Sequence, residues 1–328
     1  MKNIFIGIDI SSKTLDLCIK KDGQLAHSTI GNTIKDCNRF FKKYSGITDA
    51  VIHVAMENTG RYNYNLYEVL ERFSFLVYVI NPIHIKKSLG LVRGKNDRID
   101  AERITLFIQR GHMDLPQWKP STESIKQLKV LQAERKYRVK MRSGLVKQQY
   151  DYKAMKSMEM DRELLKLNES LIRNIDAQIS KIEARIQSII SNDGRLREQE
   201  YRIRTVPGVG KVLAWMVLSK TEGFTKIDDP RKMACFAGVV PFDHQSGTSL
   251  KYKPRISVFA DKELKKVLHL AAMSAIRLEN DFRAYYLRKV EEGKNKMSIL
   301  NAIRNKIIHR IFALIKNQTF YKNNLVVS

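Results

Sequence analysis

The sequence predicts an α/β domain followed by a mainly α-helical remainder. Three observations carry this. Short β-branched runs alternate with helical patterns over the first hundred or so residues. Residues from about 120 to 200 contain little Gly or Pro and carry a sustained apolar repeat. Beyond 200, apolar residues recur at helical spacing. Strand–helix alternation after meandering strands is the pattern of a mixed sheet.

The elements follow in order. Residues 4–10 are apolar and β-branched, 15–19 form a second such run, and Lys21-Asp22-Gly23-Gln24 between them and 26–30 reads as a hairpin turn, because Asp-Gly supplies the positive φ angles a tight turn needs. A helix is expected over 34–44, a buried strand over 50–56, a helix over 64–73, and a strand over 75–80 stopped by Asn81-Pro82. The order is βββαβαβ, then a basic segment and a helix over 98–110, giving a first domain of residues 1–116. Residues 117–199 read as helical linker and coiled coil. Leu165, Ile172, Ile175, Ile179, Ile182, Ile186 and Ile189 fall at alternating spacings of three and four, with Asn168 the one polar seam position. Such a seam packs against a partner helix, supplied by a second chain (a dimer or tetramer) or by a hairpin within one chain. Residues 200–328 open with Arg204 to Lys211 (RTVPGVGK) and an apolar helix; further helices are expected over 229–237, 261–278, 281–292 and 296–317, with a loose tail at 323–328.

Charge narrows the function. Among 328 residues, 59 Lys and Arg face 34 Asp and Glu, a net +25. That excess is self-repulsive unless a polyanion relieves it, and nucleic acid does so with release of condensed counterions. No basic amphipathic helix suggests a membrane surface, and no apolar run reaches the ~18 residues of a spanning helix. Cys18, Cys37 and Cys235 are scattered, without a CxxC pair. No zinc site or disulfide framework follows, and a reducing cytoplasm is the expected setting.

Four carboxylates stand out. Asp9 interrupts an apolar strand, where an unpaired charge carries a large desolvation cost. Glu57 closes another strand, and strand ends carry sites in such sheets. Asp97 and Asp100 are three apart at a helix start, which puts both on one face; a capping box is the plainer reading of that pair. Carboxylate clusters suit hard divalent cations such as Mg2+, which take oxygen ligands, and paired ions can stabilise attacking and leaving oxygens in phosphoryl transfer.

These motifs resemble those of the DEDD-type insertion-sequence transposases, whose relatives include the Piv-type DNA invertases. The resemblance rests on GIDIS around Asp9, AMENTGRY around Glu57, NDRIDAERI around Asp97 and Asp100, TVPGVGK at 205–211 and ACFAGVVPFDHQSGTS at 234–249. It implies a ribonuclease-H-like (RuvC-like) domain binding Mg2+ through Asp9, Glu57, Asp97 and Asp100. It also implies a C-terminal transposase domain whose Ser246 attacks a DNA phosphodiester to give a phosphoserine intermediate, carboxylates and serine coming from different subunits. A structured (bridge) RNA pairs with donor and target DNA in that family. The chain departs from the family pattern at Val258-Phe259-Ala260-Asp261, where a basic residue and a glycine usually follow the serine loop.

Read from the residues alone, Ser246 is a loop serine with Ser249 as rival nucleophile and no His–Asp partner at a telling spacing; Lys251, Lys253 and Arg255 could meet phosphate. Pro207-Gly208-Val209-Gly210-Lys211 looks like a helix–hairpin–helix turn, whose Gly208 and Gly210 would let backbone N–H groups approach a phosphate, helped by Lys211 and the next helix. Arg93 and Lys95 belong to a basic stretch suited to RNA or DNA. Three rivals predict different behaviour: a sugar-kinase-like ATPase lacks its second phosphate loop here, a RuvC-like structure-specific endonuclease using water would not need Ser246, and a non-catalytic scaffold would tolerate loss of Asp9.

Overall fold

The computed structural model describes residues 2–88, 96–154, 162–246 and 250–323. The chain divides into two compact units, Met1–Pro120 and Ser121–Ser328.

The first unit is a five-stranded sheet in the order β3-β2-β1-β4-β5, formed by β1 (Lys2–Ile10), β2 (Thr14–Lys21), β3 (Gln24–Gly31), β4 (Ala50–Glu57) and β5 (Leu76–Ile80). The order βββαβαβ is as expected. β1 is central, antiparallel to β2 and parallel to β4, and its run from Ile4 to Ile8 is buried throughout, as a strand covered on both faces requires. The β2–β3 turn uses Asp22 and Gly23 at φ 49° and 84°, the two positive angles of a type I′ hairpin.

Two helices cover one face. α1 (Ile34–Ser45) and α2 (Tyr64–Leu70) pack Phe40, Phe41, Leu66 and Val69 on Ile4, Ile6, Ile8, Val54 and Met56. The other face takes α4 (Asp97–Gly111), whose Ile104 and Ile108 meet Phe5, Ala55, Tyr78 and Ile80. Between β5 and α4, part of the expected basic segment forms a short helix α3 (Pro82–Ser88); proline is suited to a first helical position.

The α4 face also encloses His53, 3% exposed. Its ring nitrogens lie 3.3 Å from the Tyr78 hydroxyl and 3.1 Å from Asn3 Oδ1, and it stacks on Phe5. Burial first, then neighbouring His112, pushes its pKa down to about 4. An unfolded chain binds that proton near pH 6.5, so His53 contributes stability above pH 6.5 that is lost as pH falls toward 4, by at most about 3 kcal/mol.

The second unit begins with α5 (Glu123–Ala154) and α6 (Arg162–Asn192), packed together as a hairpin. Of the two partners the heptad seam allowed, α5 is the one present: Ile175, Ile186 and Ile189 are buried, and the amide of buried Asn168 donates to the Leu145 carbonyl at 3.1 Å. Arg135–Glu183 at 2.7 Å and Arg138–Gln178 at 2.9 Å cross-link the two helices. α7 (Gly194–Arg204) follows, capped by Asp193. α8 (Lys211–Thr221) buries Leu213 to Leu218, and a helix apolar on every side belongs at a core centre. α9 (Pro230–Phe236), α10 (Lys262–Ala275), α11 (Asp281–Glu291) and α12 (Lys296–Asn317) complete the core, each within a few residues of its expected span. The stretch read as a loop around Ser246 is instead a hairpin of β6 (Phe242–Ser246) and β7 (Leu250–Arg255); the short alternation Leu250-Lys251-Tyr252-Lys253 is its one strand signal.

Replacing His53 by Gln should flatten the acid limb of stability. We expect wild type to lose stability relative to His53→Gln between pH 7.5 and 5, by about 1–3 kcal/mol, in paired urea titrations; parallel pH curves would show that His53 is not the group involved.

Candidate active site

Strand register places the first two carboxylates side by side. Ile8 of β1 pairs with Met56 of β4, so Asp9 and Glu57 are the next residues on adjacent parallel strands. Ile8 and Met56 lie in the core under α1 and α2. Alternation turns Asp9 and Glu57 to the opposite face, where α4 lies.

Gly7 sets how closely α4 approaches. A Cβ there would fall 2.4 Å from Thr105 Oγ1, 2.5 Å from the Ala101 carbonyl oxygen and 2.5 Å from the Thr105 nitrogen. The helix backbone therefore rests on bare strand backbone. Thr105 fastens the contact by donating to the Cys18 carbonyl at 2.9 Å. One turn earlier on α4 stand Asp97 and Asp100. The expected capping box is not what holds them: the N-cap is Asn96, whose side chain accepts from the Arg98 amide. Asp97 is thus free of the capping role, and Asp100 accepts from Arg103 at 2.6 Å. Sequence reasoning misses Gly7, although a glycine inside an apolar strand is a signal of close backbone approach.

The other three acids act on Asp9 electrostatically. The Asp9 carboxyl is pushed up to about 6, by burial first, then by Asp97 and Asp100, with a smaller push from Glu57; the Ile10 amide opposes these. A half-buried carboxylate pressed by three others is chemically suited to a divalent cation, whose charge would reverse the repulsion. Among the described residues, no three His, Cys, Asp or Glu side chains form a group that could hold a metal ion. The fit is therefore one of donor chemistry and charge.

In the second unit Ser246 ends β6, paired with Leu250 across the tip of the hairpin. The backbone of Lys251, Lys253 and Arg255 lies along β7, with Lys251 opposite Gln245 and Arg255 opposite Phe242; the side chains of these residues and of Ser246 lie outside the described part, as do Arg93, Lys95, Gly247 and Ser249. Both roots of the hairpin are anchored. Asn301 of α12 donates to the Val239 carbonyl at 2.7 Å, and the Asp261 amide donates to the Phe236 carbonyl at 2.8 Å. Asp261, within the stretch that departs from the family pattern, caps α10 and pairs with Lys220 at 2.8 Å.

The glycines of the 205–211 turn divide in role. Gly208, at φ +79°, backs onto α10, where a Cβ would lie 2.2 Å from the Ala271 carbonyl oxygen; its freedom serves packing within the unit, and the expected approach to a phosphate is not what requires it. Gly210 is exposed and begins α8 without any side-chain cap, with Lys211 exposed beside it, leaving the first N–H groups of α8 open to an anion.

Comparison with known proteins points to one class. A transposase profile of the DEDD type matches residues 6–151, which include all four carboxylates. A profile described as the transposase IS116/IS110/IS902 family matches residues 200–287, which include Ser246. The pilin gene-inverting protein of Moraxella bovis is 26% identical over 98% of this chain and 99% of its own length. The transposase for insertion sequence element IS1111A of Coxiella burnetii is 23% identical over 98% of this chain and 92% of its own. These matches define a DNA transposase or recombinase. The chain belongs to the IS110 family of transposases, a family that implies a divalent-metal-dependent site, and its mixed five-stranded sheet is compatible with the ribonuclease-H-like domain expected of it. Among the described residues no helix is long and apolar enough to cross a membrane.

Gly7→Ala should destabilise the first unit by about 1–3 kcal/mol in urea titrations and lower strand cleavage, because α4 must lift; unchanged stability would mean the contact yields freely. Asp9→Asn should raise the metal-free stability by on the order of 1 kcal/mol, and with it the melting temperature, while abolishing cleavage; a lower melting temperature in EDTA would sink the repulsion argument.

Proposed function

We propose that this transposase cuts and rejoins DNA through a phosphoserine intermediate at a Mg2+-dependent site. What supports the reading is that Asp9 and Glu57 end adjacent parallel strands and that the Asp9 carboxyl is pressed by Asp97, Asp100 and, less, Glu57. Mg2+ held there would stabilise the charge that develops on phosphoryl oxygens. Asp9 and Glu57 are the strand-borne ligands, rigidly spaced; Asp97 and Asp100 are delivered by α4, and Arg103 orients Asp100.

Ser246 is the proposed nucleophile. Its Oγ forms a bond to phosphorus, the phosphorus–oxygen bond to one deoxyribose breaks, and the serine proton ends on the departing sugar oxygen. The phosphodiester is conserved in the serine link, so attack by another strand's hydroxyl rejoins DNA without an external energy source. A hairpin tip suits this role because it can present its last side chain beyond the body of the unit. Lys251, Lys253, Arg255, Arg93 and Lys95 are proposed phosphate contacts, together with the α8 N-terminus at Gly210 and Lys211.

A structured guide RNA and an oligomer complete the proposal. The net +25 exceeds what a few DNA contacts need and suits a second polyanion. For self-association, exposed Leu164, Leu167 and Leu171 on α6 offer apolar surface beside the seam that α5 already covers.

The test is a covalent-adduct assay with labelled donor and target DNA, protein expressed with its flanking DNA, and Mg2+. A denaturation-resistant protein–DNA adduct is expected in wild type and absent, at least a hundredfold down, in Ser246→Ala, in Asp9→Asn and in excess EDTA. Cleavage that survives Ser246→Ala without any adduct would instead make the protein a RuvC-like endonuclease that uses water.

A further inference from the structure

On the two helices that tie down the segments flanking the serine hairpin, two cations have no acid partner among the described residues. Arg304 of α12 is 7% exposed, and its Nε is sealed from solvent with no acceptor. Lys265, in the first turn of α10, is near enough that Arg304, after burial itself, lowers its pKa. The acids of that turn are already engaged: Asp261 by Lys220 at 2.8 Å and Glu263 by Lys136 at 2.6 Å. Among the described residues neither Arg304 nor Lys265 has an ion-pair partner. Two more buried polar atoms lack partners on these helices: Nδ1 of His269, one turn beyond Lys265, and Oδ1 of Asn305, next to Arg304.

A buried charge without a counter-charge is among the most costly features a fold can carry. It persists where an anion arrives to complete it. The position says which anion. Asn301, one turn before Arg304 on the same face of α12, holds Val239 at the outgoing root of the hairpin. Asp261, one turn before Lys265, holds the returning root. Each cation thus lies one helical turn from a residue, Asn301 or Asp261, that ties down a segment flanking the hairpin of Ser246.

We propose that Arg304 and Lys265 form an anion hole for a phosphate of the DNA strand engaged by the serine hairpin. The assignment rests on the proposed serine chemistry for its place in the reaction. Binding itself requires neither serine nor metal. Arg304 supplies planar, multiple N–H donors suited to a phosphate, and Lys265 a second charge. Arg304 is a positioning residue: it fixes the strand while Ser246 acts.

The experiment uses the full chain carrying Ser246→Ala, in EDTA, so that no chemistry is involved and its outcome is independent of the adduct assay. Affinity for a single-stranded deoxyoligonucleotide is measured by anisotropy over a salt series, and melting temperature without DNA. Arg304→Met should weaken binding about tenfold and make the log–log salt slope shallower by about 1, because one phosphate is no longer neutralised. The melting temperature should hold or rise, since an uncompensated buried charge is removed. Arg304→Lys should retain most of the slope. An unchanged slope in Arg304→Met would overturn the proposal, as would weakening seen with RNA of the same sequence and not with DNA. Should Arg304→Met fail to fold, Lys265→Met decides in the same way: a shallower slope supports the anion hole, and an unchanged one removes it.

Discussion

The contact between α4 and β1 is the constraint on which the carboxylate site depends. A helix normally stands off a sheet by the thickness of two layers of side chains. At Gly7 one layer is missing, so the Ala101 carbonyl and Thr105 rest on strand backbone, and the hydroxyl of Thr105 pins the helix to β2 through Cys18. Only from that distance can a helix whose first turn carries Asp97 and Asp100 bring them to act on a carboxylate rooted in the central strand. The cost appears at Asp9, whose proton affinity is raised by burial and by those neighbours. Packing energy from Phe5, Ala55, Ile104 and Ile108 holds in place an arrangement that electrostatics alone would push apart.

The same tension recurs in the second unit with opposite sign. Among the described residues Arg304 is buried with no acid partner, as Asp9 is half-buried with no base. Each unit thus keeps a charge it would fold more easily without. Stability taken from apolar packing in this way is a common cost of a functional site. Polyanionic DNA and divalent cations are the natural complements of the two, the one answering the buried cations and the other the crowded acids.

Close approach through glycine is used twice. Gly208 lets the α7–α8 turn press against α10, and α10 is the helix that starts from the returning root of the serine hairpin. What the sequence presents as a nucleic-acid-binding turn is thus partly a packing device, with Gly210, Lys211 and the start of α8 left to face outward.

Much of this was readable in the sequence. Strand order, the Asp22-Gly23 turn and the C-terminal helices follow from short-range periodicity and turn chemistry, which depend on neighbouring residues alone. So does the seam of α6, although its partner did not: a heptad pattern says that a face must be covered, and whether α5 or a second chain covers it is a matter of chain path. The four carboxylates could be named from residue type and place in their elements. Their convergence could not, because it depends on parallel pairing of β1 with β4 and on the approach of α4 across about ninety residues of chain. The hairpin bearing Ser246 was missed because its two strands are short and rich in polar residues. Arg304 was invisible for a related reason: in sequence it is one more arginine in a basic helix, and only the packing of α12 shows that it is buried and unpaired. Residue types and local periods determined the elements and the candidate chemistry; desolvation and proximity, which exist only once distant segments meet, decided which charges matter.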